Sequence, residues 1–217
     1  MRKIDKSQIL SKDYEKWLKS LDKDNHPIYN SSANKYYHDI KMSLLYCQQG
    51  LCAYTEGLLC ESHFIMPEHW DKNSYQLELK KQEKQSIKGD LEHFDESLKK
   101  NSGWLWDNLF VVDTHNNCRI KGKKPIKNIL KPDNSDYDAF KYLSFDIETG
   151  VFTANIRLSS EEKEDVEYMI ETLGLNCIPD RKKQLEEWLD RYNVGLPVDP
   201  YRYITAWEMT LENLKDT

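Results

Sequence analysis

Residues 141–159 read KYLSFDIETGVFTANIRLS and carry the strongest local structural signal in this chain. Apolar and polar residues alternate on both sides of a Glu-Thr-Gly turn at 148–150, as they do in half-buried β-strands. This pattern predicts a β-hairpin. The next segment predicts a helix, because Ser159 or Ser160 can cap its start, acidic residues fill its first turn and Gly174 can end it. A hairpin combined with separate helices indicates an α+β protein.

Helical periodicity recurs along the rest of the chain. Apolar residues at helical spacing, with Gly50 as a plausible end of the second helix, predict further helices at 1–24, 34–49, 181–196 and 203–215. We expect an N-terminal helical region, a central core and a C-terminal region of hairpin and helices, with bounds 1–47, 48–131 and 132–217. We expect these three regions to form one compact unit.

The composition narrows the classes of protein that this chain can be. Its 217 residues carry a formal net charge of −6, whereas a protein that binds nucleic acid unaided is usually basic. A role on nucleic acid therefore needs a local basic patch or a partner that supplies positive charge. The chain contains no apolar run of about 18 residues and no secretory signal pattern, so we expect no membrane partner. Five irregularly spaced cysteines favour a reducing, cytoplasmic location over a disulfide framework.

The segment GDLEHFDESLKKNSGWLWDNLFVVDTHNNCRIKGKKP contains the side chains that phosphodiester hydrolysis needs. That reaction requires a base for water, a cation near the phosphate and basic groups that hold the backbone. His93 is the candidate base, and Glu92 or Asp90 offers the hard oxygen that Mg²⁺ prefers. Asn117 or His115 would complete the ligands.

Two further features of this segment fit the same chemistry. The carboxamide of Asn108, which follows Trp106 closely, would brace the loop that carries the candidate base. Basic residues that could contact phosphates follow the candidate ligands, and they are Arg119, Lys121, Lys123, Lys124, Lys127 and Lys131. Such a run is also typical of a solvated helix face, and both interpretations stay open.

The order and spacing of these residues resemble the motif of the HNH, or ββα-metal, endonucleases. His93 precedes Asn108 by fifteen positions, Asn117 follows nine positions later, and Lys-Gly at 121–122 closes the run. The resemblance implies a helical α+β protein built around a ββα-metal finger, with Mg²⁺ or Mn²⁺ as cofactor. It implies that His93 activates water, that Glu92 and Asn117 bind the metal, and that Asn108 is the structural middle Asn.

Other stretches resemble one HNH subfamily, and they read QQGLCAYTE, DIETGVFTANI and LGLNCIPDRKK. This subfamily includes the HNH subunit (PtuB) of the Septu anti-phage defence system and proteins found with some retrons. The resemblance implies a toxin or effector subunit that cuts DNA, tRNA or another RNA. It also implies an ABC/SMC-type, PtuA-like ATPase as partner, and it leaves open a retron reverse transcriptase–msDNA complex.

The sequence departs from the HNH pattern in two places. Many HNH proteins hold a structural zinc with four cysteines, but only Cys52 remains in register here, so we expect no structural zinc. A rescue site that adds Cys60, Cys118 and a His is the less favoured alternative. Counting back three positions from Lys121 places Cys118 at the third motif position, but the amide oxygen of Asn117 suits a hard cation better.

Two alternatives to this interpretation stay open. His63, in ESHFIMP, also resembles the motif histidine, but it precedes Asn108 by forty-five positions, which is too far for one finger without an insertion. The absent zinc cysteines also permit a degenerate, non-catalytic HNH-like adaptor that connects an ATPase to another molecule.

Overall fold

The computed structural model describes residues 1–30 and 33–215, except for the side chains of 117 and 118. Helices and two small antiparallel sheets make up its regular structure, which confirms the α+β class. The helices are α1 (Lys12–Ser20), α2 (Tyr37–Cys47), α3 (Lys81–Ser86), α4 (Lys99–Ser102), α5 (Ala139–Tyr142), α6 (Ser160–Leu173), α7 (Pro179–Asn193) and α8 (Ile204–Lys215). The strands are β1 (Asp90–His93), β2 (Leu109–Val112), β3 (Leu143–Asp146) and β4 (Val151–Ala154). A π-helix, Asn116–Lys121, follows β2.

The chain forms two compact units. The central unit comprises Ile4–Ala53 and Leu58–Ile126 and contains α1–α4, β1, β2 and the π-helix. The C-terminal unit comprises Met1–Lys3, Tyr54–Gly57 and the chain from Lys127 onward. Helix α2 packs against β2 within the central unit. Within the described ranges, none of the helices is both long and apolar enough to cross a bilayer.

The core of the central unit forms around the β1–β2 pair. The two strands run antiparallel, with His93 opposite Leu109, and all four residues of β2 are buried. The side chain of Gln48, which follows α2, bonds to the Val111 N–H and to the Val111 carbonyl oxygen, each at 2.8 Å. The end of α2 is therefore fixed to the middle of β2.

The chain turns sharply after α2 at a residue that must be glycine. Gly50 has a φ of 77°, and a Cβ added there would lie 2.0 Å from the carbonyl oxygen of Cys60. No L side chain fits that space, so Gly50 ends the α2 segment much as the sequence predicted.

The predicted N-terminal helix is shorter than expected. Helix covers only Lys12–Ser20 of the predicted 1–24, and the preceding residues form no regular element. Lys6 is buried there, and its Nζ donates to the carbonyl oxygens of Trp106 (2.6 Å) and Leu109 (3.0 Å). These long-range contacts hold the segment out of a helix, which local periodicity alone does not reveal.

The C-terminal unit contains the predicted hairpin and the helix that follows it. Strands β3 and β4 pair antiparallel, with Phe145 opposite Phe152, which confirms the hairpin. Ser159 and Glu162 form a reciprocal capping box at the start of α6, and Gly174 ends the helix in the left-handed region with a φ of 66°. Both predicted ends of this helix are confirmed.

A buried arginine connects the hairpin to the helices of the C-terminal unit. Arg181, on α7, donates to the carbonyl oxygen of Gly150 (2.8 Å), the carbonyl oxygen of Leu175 (2.6 Å) and Oδ1 of Asn176 (3.0 Å). Its guanidinium lies 4.7 Å from the ring centroid of Phe152. Burial lowers the pKa of Arg181 to about 10, with the charge of Glu56 acting in the opposite direction.

Candidate functional site

The site expected from the sequence lies on a strand–strand–helix segment of the central unit. β1 ends at His93, β2 begins opposite it, and the π-helix follows β2. Asp113 caps the start of this helical segment. Oδ1 of Asp113 accepts from the N–H groups of His115 (2.9 Å) and Asn116 (3.4 Å). Thr114 donates from Oγ1 to a carboxylate oxygen of Asp90 at 2.6 Å.

Asn108 holds the loop that follows His93. Its Oδ1 accepts from the N–H of Asp95 at 2.8 Å, and its Nδ2 donates to the Asp95 carbonyl oxygen at 2.9 Å. The Phe94 N–H also donates to the carbonyl oxygen of Asn108 at 2.8 Å. Asn108 therefore ties the two residues after His93 to the beginning of β2, Asp95 through its side chain and Phe94 through its backbone carbonyl.

His93 is buried, and its ring contacts a backbone carbonyl oxygen and an aromatic ring. Only 2% of its surface is exposed, its Nε2 lies 2.8 Å from the Gly103 carbonyl oxygen, and the ring of Tyr29 packs edge-on at 4.5 Å. A carbonyl oxygen can only accept, so Nε2 carries the hydrogen and Nδ1 carries the lone pair. Nδ1 lies 3.9 Å from Oε2 of Glu96. Burial lowers the pKa of His93 to about 4, so the ring is neutral at neutral pH.

Glu92, on β1, and Lys121, at the end of the π-helix, form a buried ion pair. Oε1 of Glu92 lies 2.5 Å from Nζ of Lys121, and the same Nζ donates to the carbonyl oxygen of His93 at 2.8 Å. Both side chains are at most 2% exposed. The expected metal ligand Glu92 therefore already contacts a cation, and Lys121, which we expected to contact phosphate, lies inside the fold.

The remaining basic candidates are at the surface. Arg119, Lys123 and Lys124 are exposed on or just after the π-helix. Lys127 is also exposed, but it belongs to the C-terminal unit and forms an ion pair with Asp165. The expected phosphate contacts are therefore available from three side chains of the central unit.

The other expected metal ligands are placed only in part. The side chain of Asn117 lies outside the described part of the structure, and so does that of Cys118, although both positions fall within the π-helix. His115 is exposed beside the start of that helix, and His63 is exposed on a separate short turn.

Two buried cysteines, Cys52 and Cys60, lie in the central unit. Sγ of Cys52 accepts from the Asp113 N–H at 3.4 Å. Burial raises the pKa of the Cys60 thiol to about 12.

The sequence missed three groups that surround His93. Tyr29 comes from a distant segment, and Gly103 contributes only its backbone, so no local pattern identifies either contact. Glu96 follows His93 by three positions, a spacing that could have suggested it. Among the described side chains, no three His, Cys, Asp or Glu residues are grouped to hold a metal ion. No protein family model matches this chain, and no curated protein matches it.

Proposed function

We propose that this protein is a metal-dependent endonuclease of the HNH type, which hydrolyses phosphodiester bonds in nucleic acid. The observation that carries the proposal is the pair of hydrogen bonds from the Asn108 side chain to the backbone of Asp95. They occur in a strand–strand–helix segment and tie down the loop after His93, as the middle Asn of the HNH motif would do. The contact between Cys52 and Asp113 adds support, because many HNH proteins carry zinc-binding cysteines at the two corresponding positions.

His93 is the base in this proposal. Its Nε2–H is held by the Gly103 carbonyl oxygen, which leaves the Nδ1 lone pair to accept a proton from water. The neutral ring is in the protonation state that a base requires. Because His93 is almost fully buried, the Tyr29 side has to open before water and a phosphate reach the ring.

The residues around Glu92 fit a cation. The Lys121 ammonium already lies between the Glu92 carboxylate and the His93 carbonyl oxygen, which are hard oxygen donors of the kind that Mg²⁺ and Mn²⁺ prefer. Glu92 and Asn117 would hold the metal once Lys121 withdraws. A bound metal would neutralise charge on the phosphate and the leaving oxygen. Arg119, Lys123 and Lys124 would hold the nucleic-acid backbone.

We further propose that the protein is a cytoplasmic effector subunit of an anti-phage system and acts beside an ABC/SMC-type ATPase. The net charge of −6 supports dependence on a partner, because it opposes unaided binding to nucleic acid. The substrate is DNA or RNA, tRNA included, and a retron complex is a further partner.

A second candidate function is a non-catalytic adaptor built on the same finger. It is favoured by one observation: the two groups needed for chemistry, His93 and Glu92, are both engaged inside the fold, with Gly103 and Lys121. In an adaptor these contacts would be permanent structural contacts.

Cleavage assays on matched histidine variants separate the two functions. Labelled DNA, tRNA and other RNA are incubated with Mg²⁺ and the protein, with and without an ATPase partner. We expect His93→Ala and Asn117→Ala to abolish cleavage, and His115→Ala, which changes an exposed histidine, to retain it. Circular dichroism verifies the fold of each variant. If folded His93→Ala still cleaves, His93 is not the base. If the wild type cleaves none of these substrates, or if folded His93→Ala still protects cells from phage, the nuclease assignment is wrong and the adaptor is favoured.

A further inference from the structure

A pocket of about 280 Å³ opens on the central unit between α2 and α3. Its lining combines three basic side chains with three apolar ones, and these are His38, Lys41, Lys84, Met42, Leu79 and Ile87. This pocket is separate from the contacts of His93 and Glu92 described above.

The basic groups of this pocket have no close anionic partner. Among the described residues, none places a carboxylate within 4 Å of Lys41 or Lys84, and Lys41 is itself partly buried. Burial lowers the pKa of Lys41, while the charge of Asp90 opposes that shift. Burial also lowers the pKa of His38, and the charges of Lys41 and Lys84 lower it further. Two lysine cations that line one pocket, with Lys41 partly buried and Lys84 exposed, favour a bound anion.

The pocket lies beside the strand that carries the proposed base. The N–H of Leu91 donates to the hydroxyl of Tyr37, next to His38, at 3.4 Å, and Asp90 is close enough to influence Lys41. From Asp90 to His93 the strand advances by about 10 Å, at roughly 3.3 Å per residue. One strand of duplex DNA covers this distance in about three nucleotides.

We propose that this pocket binds a backbone phosphate of the nucleic-acid substrate, a few nucleotides from the bond that is cut. Lys41, Lys84 and, when protonated, His38 contact the phosphate oxygens. The apolar lining from Leu79 and Ile87 faces the adjoining sugar. This assignment rests on the proposed endonuclease function for its choice of nucleic acid as the source of the phosphate.

Direct binding measurements test the pocket without relying on cleavage. Isothermal titration calorimetry at low salt measures the affinity of the full-length chain for inorganic phosphate and for a short single-stranded oligonucleotide. We expect Lys41→Met to weaken both affinities by about tenfold or more, because it removes a charge-assisted hydrogen bond to the phosphate. Lys72→Met is the matched control, because it removes the same charge from an exposed position of the same unit, and we expect a change of less than about twofold.

The outcomes separate this proposal from the endonuclease assignment. If the wild type binds no phosphate, or if Lys41→Met and Lys72→Met bind the oligonucleotide equally well, the pocket assignment is overturned, even where cleavage is observed. If Lys41→Met alone weakens binding while no form of the protein cleaves nucleic acid, the pocket assignment stands and the endonuclease assignment fails. Thermal denaturation confirms that both variants are folded.

Discussion

Nζ of Lys121 lies 2.5 Å from Oε1 of Glu92 and 2.8 Å from the carbonyl oxygen of His93. Both charged side chains are at most 2% exposed, so water screens neither of them. Removing one partner of such a pair leaves the other charge buried without compensation. This ion pair is therefore both a stabilising contact of the strand–strand–helix segment and the cation position of the proposed metal site.

Replacing the lysine of this pair should destabilise the protein and leave the Glu92 carboxylate free to bind another cation. We expect Lys121→Met to lower the free energy of unfolding by about 3 kcal/mol. Millimolar Mg²⁺ should restore part of that loss, because the metal ion takes the place of the ammonium beside Glu92. Urea denaturation with Mg²⁺ and with EDTA measures both effects.

The matched control is Lys123→Met, which removes an exposed lysine two positions away and should cost less than about 0.5 kcal/mol. Glu92→Gln combined with Lys121→Met should lose the response to Mg²⁺. An equal Mg²⁺ response in the wild type, Lys121→Met and the double variant would contradict a cation site at Glu92.

Removing the Asn108 side chain should loosen the loop after His93. Asn108→Ala leaves the N–H and the carbonyl oxygen of Asp95 without their side-chain partners. We expect a loss of about 2 kcal/mol in the free energy of unfolding, and faster hydrogen exchange at the Asp95 amide. Asn101→Ala, at an exposed position nearby, is the control and should change stability little. Unchanged exchange at Asp95 in Asn108→Ala would show that the carboxamide does not hold this loop.

His93 should make stability depend on pH below neutrality. Its pKa in the folded protein is about 4, whereas the unfolded chain has an ordinary histidine value near about 6.5. As the pH falls, the unfolded chain binds the proton first, so the stability due to neutral His93 is complete above about 6.5 and decreases toward about 4. We expect this residue alone to account for a loss of about 2 kcal/mol between about pH 7.5 and about pH 5.

Urea denaturation at the two pH values checks this expectation. His93→Gln should show a smaller pH dependence than the wild type, and His115→Gln, at an exposed position, should keep the wild-type dependence. The other ionisable groups are common to all three proteins, so the difference between them reports on position 93. Identical pH dependence in the wild type and His93→Gln would rule out a strongly lowered pKa.

The buried arginine of the C-terminal unit gives a prediction independent of the proposed site. Arg181→Met removes the donors to Gly150, Leu175 and Asn176, and we expect a loss of about 3 kcal/mol. Lys183→Met, exposed on the same helix, should lie within about 0.5 kcal/mol of the wild type. Hydrogen exchange locates the effect, which should appear at β4 and at the α6–α7 turn. A loss spread evenly over the chain would contradict this assignment.

The sequence predicted best the elements that local contacts determine. The β3–β4 hairpin and the α6 helix depend on alternation, a serine cap and a terminal glycine, and each of these signals acts on its immediate neighbours in the chain. The N-terminal helix was predicted too long because Lys6 bonds to carbonyl groups about one hundred positions away. Interactions at such separation leave no periodic pattern.

In the candidate site, too, the sequence predicted the local features and missed the contacts between distant residues. The spacing from His93 to Asn108 is visible in the sequence, and the structure places both side chains at the junction of β1 and β2. The burial of His93 behind Tyr29 is not visible, because the two residues are distant in the chain. The pairing of Lys121 with Glu92 was also missed, since a lysine in a basic run ordinarily faces solvent.

The π-helix at Asn116–Lys121 gives a structural reason for the one-residue difference between the two counts along the proposed HNH motif. A π-helical turn is wider than an α-helical turn and accommodates an additional residue. The forward count from Asn108 and the backward count from Lys121 therefore end one position apart. The widened turn holds the additional residue within the helix. A one-residue insertion at this point fits within the widened turn and needs no new loop. Relatives of this protein therefore need not share one motif length.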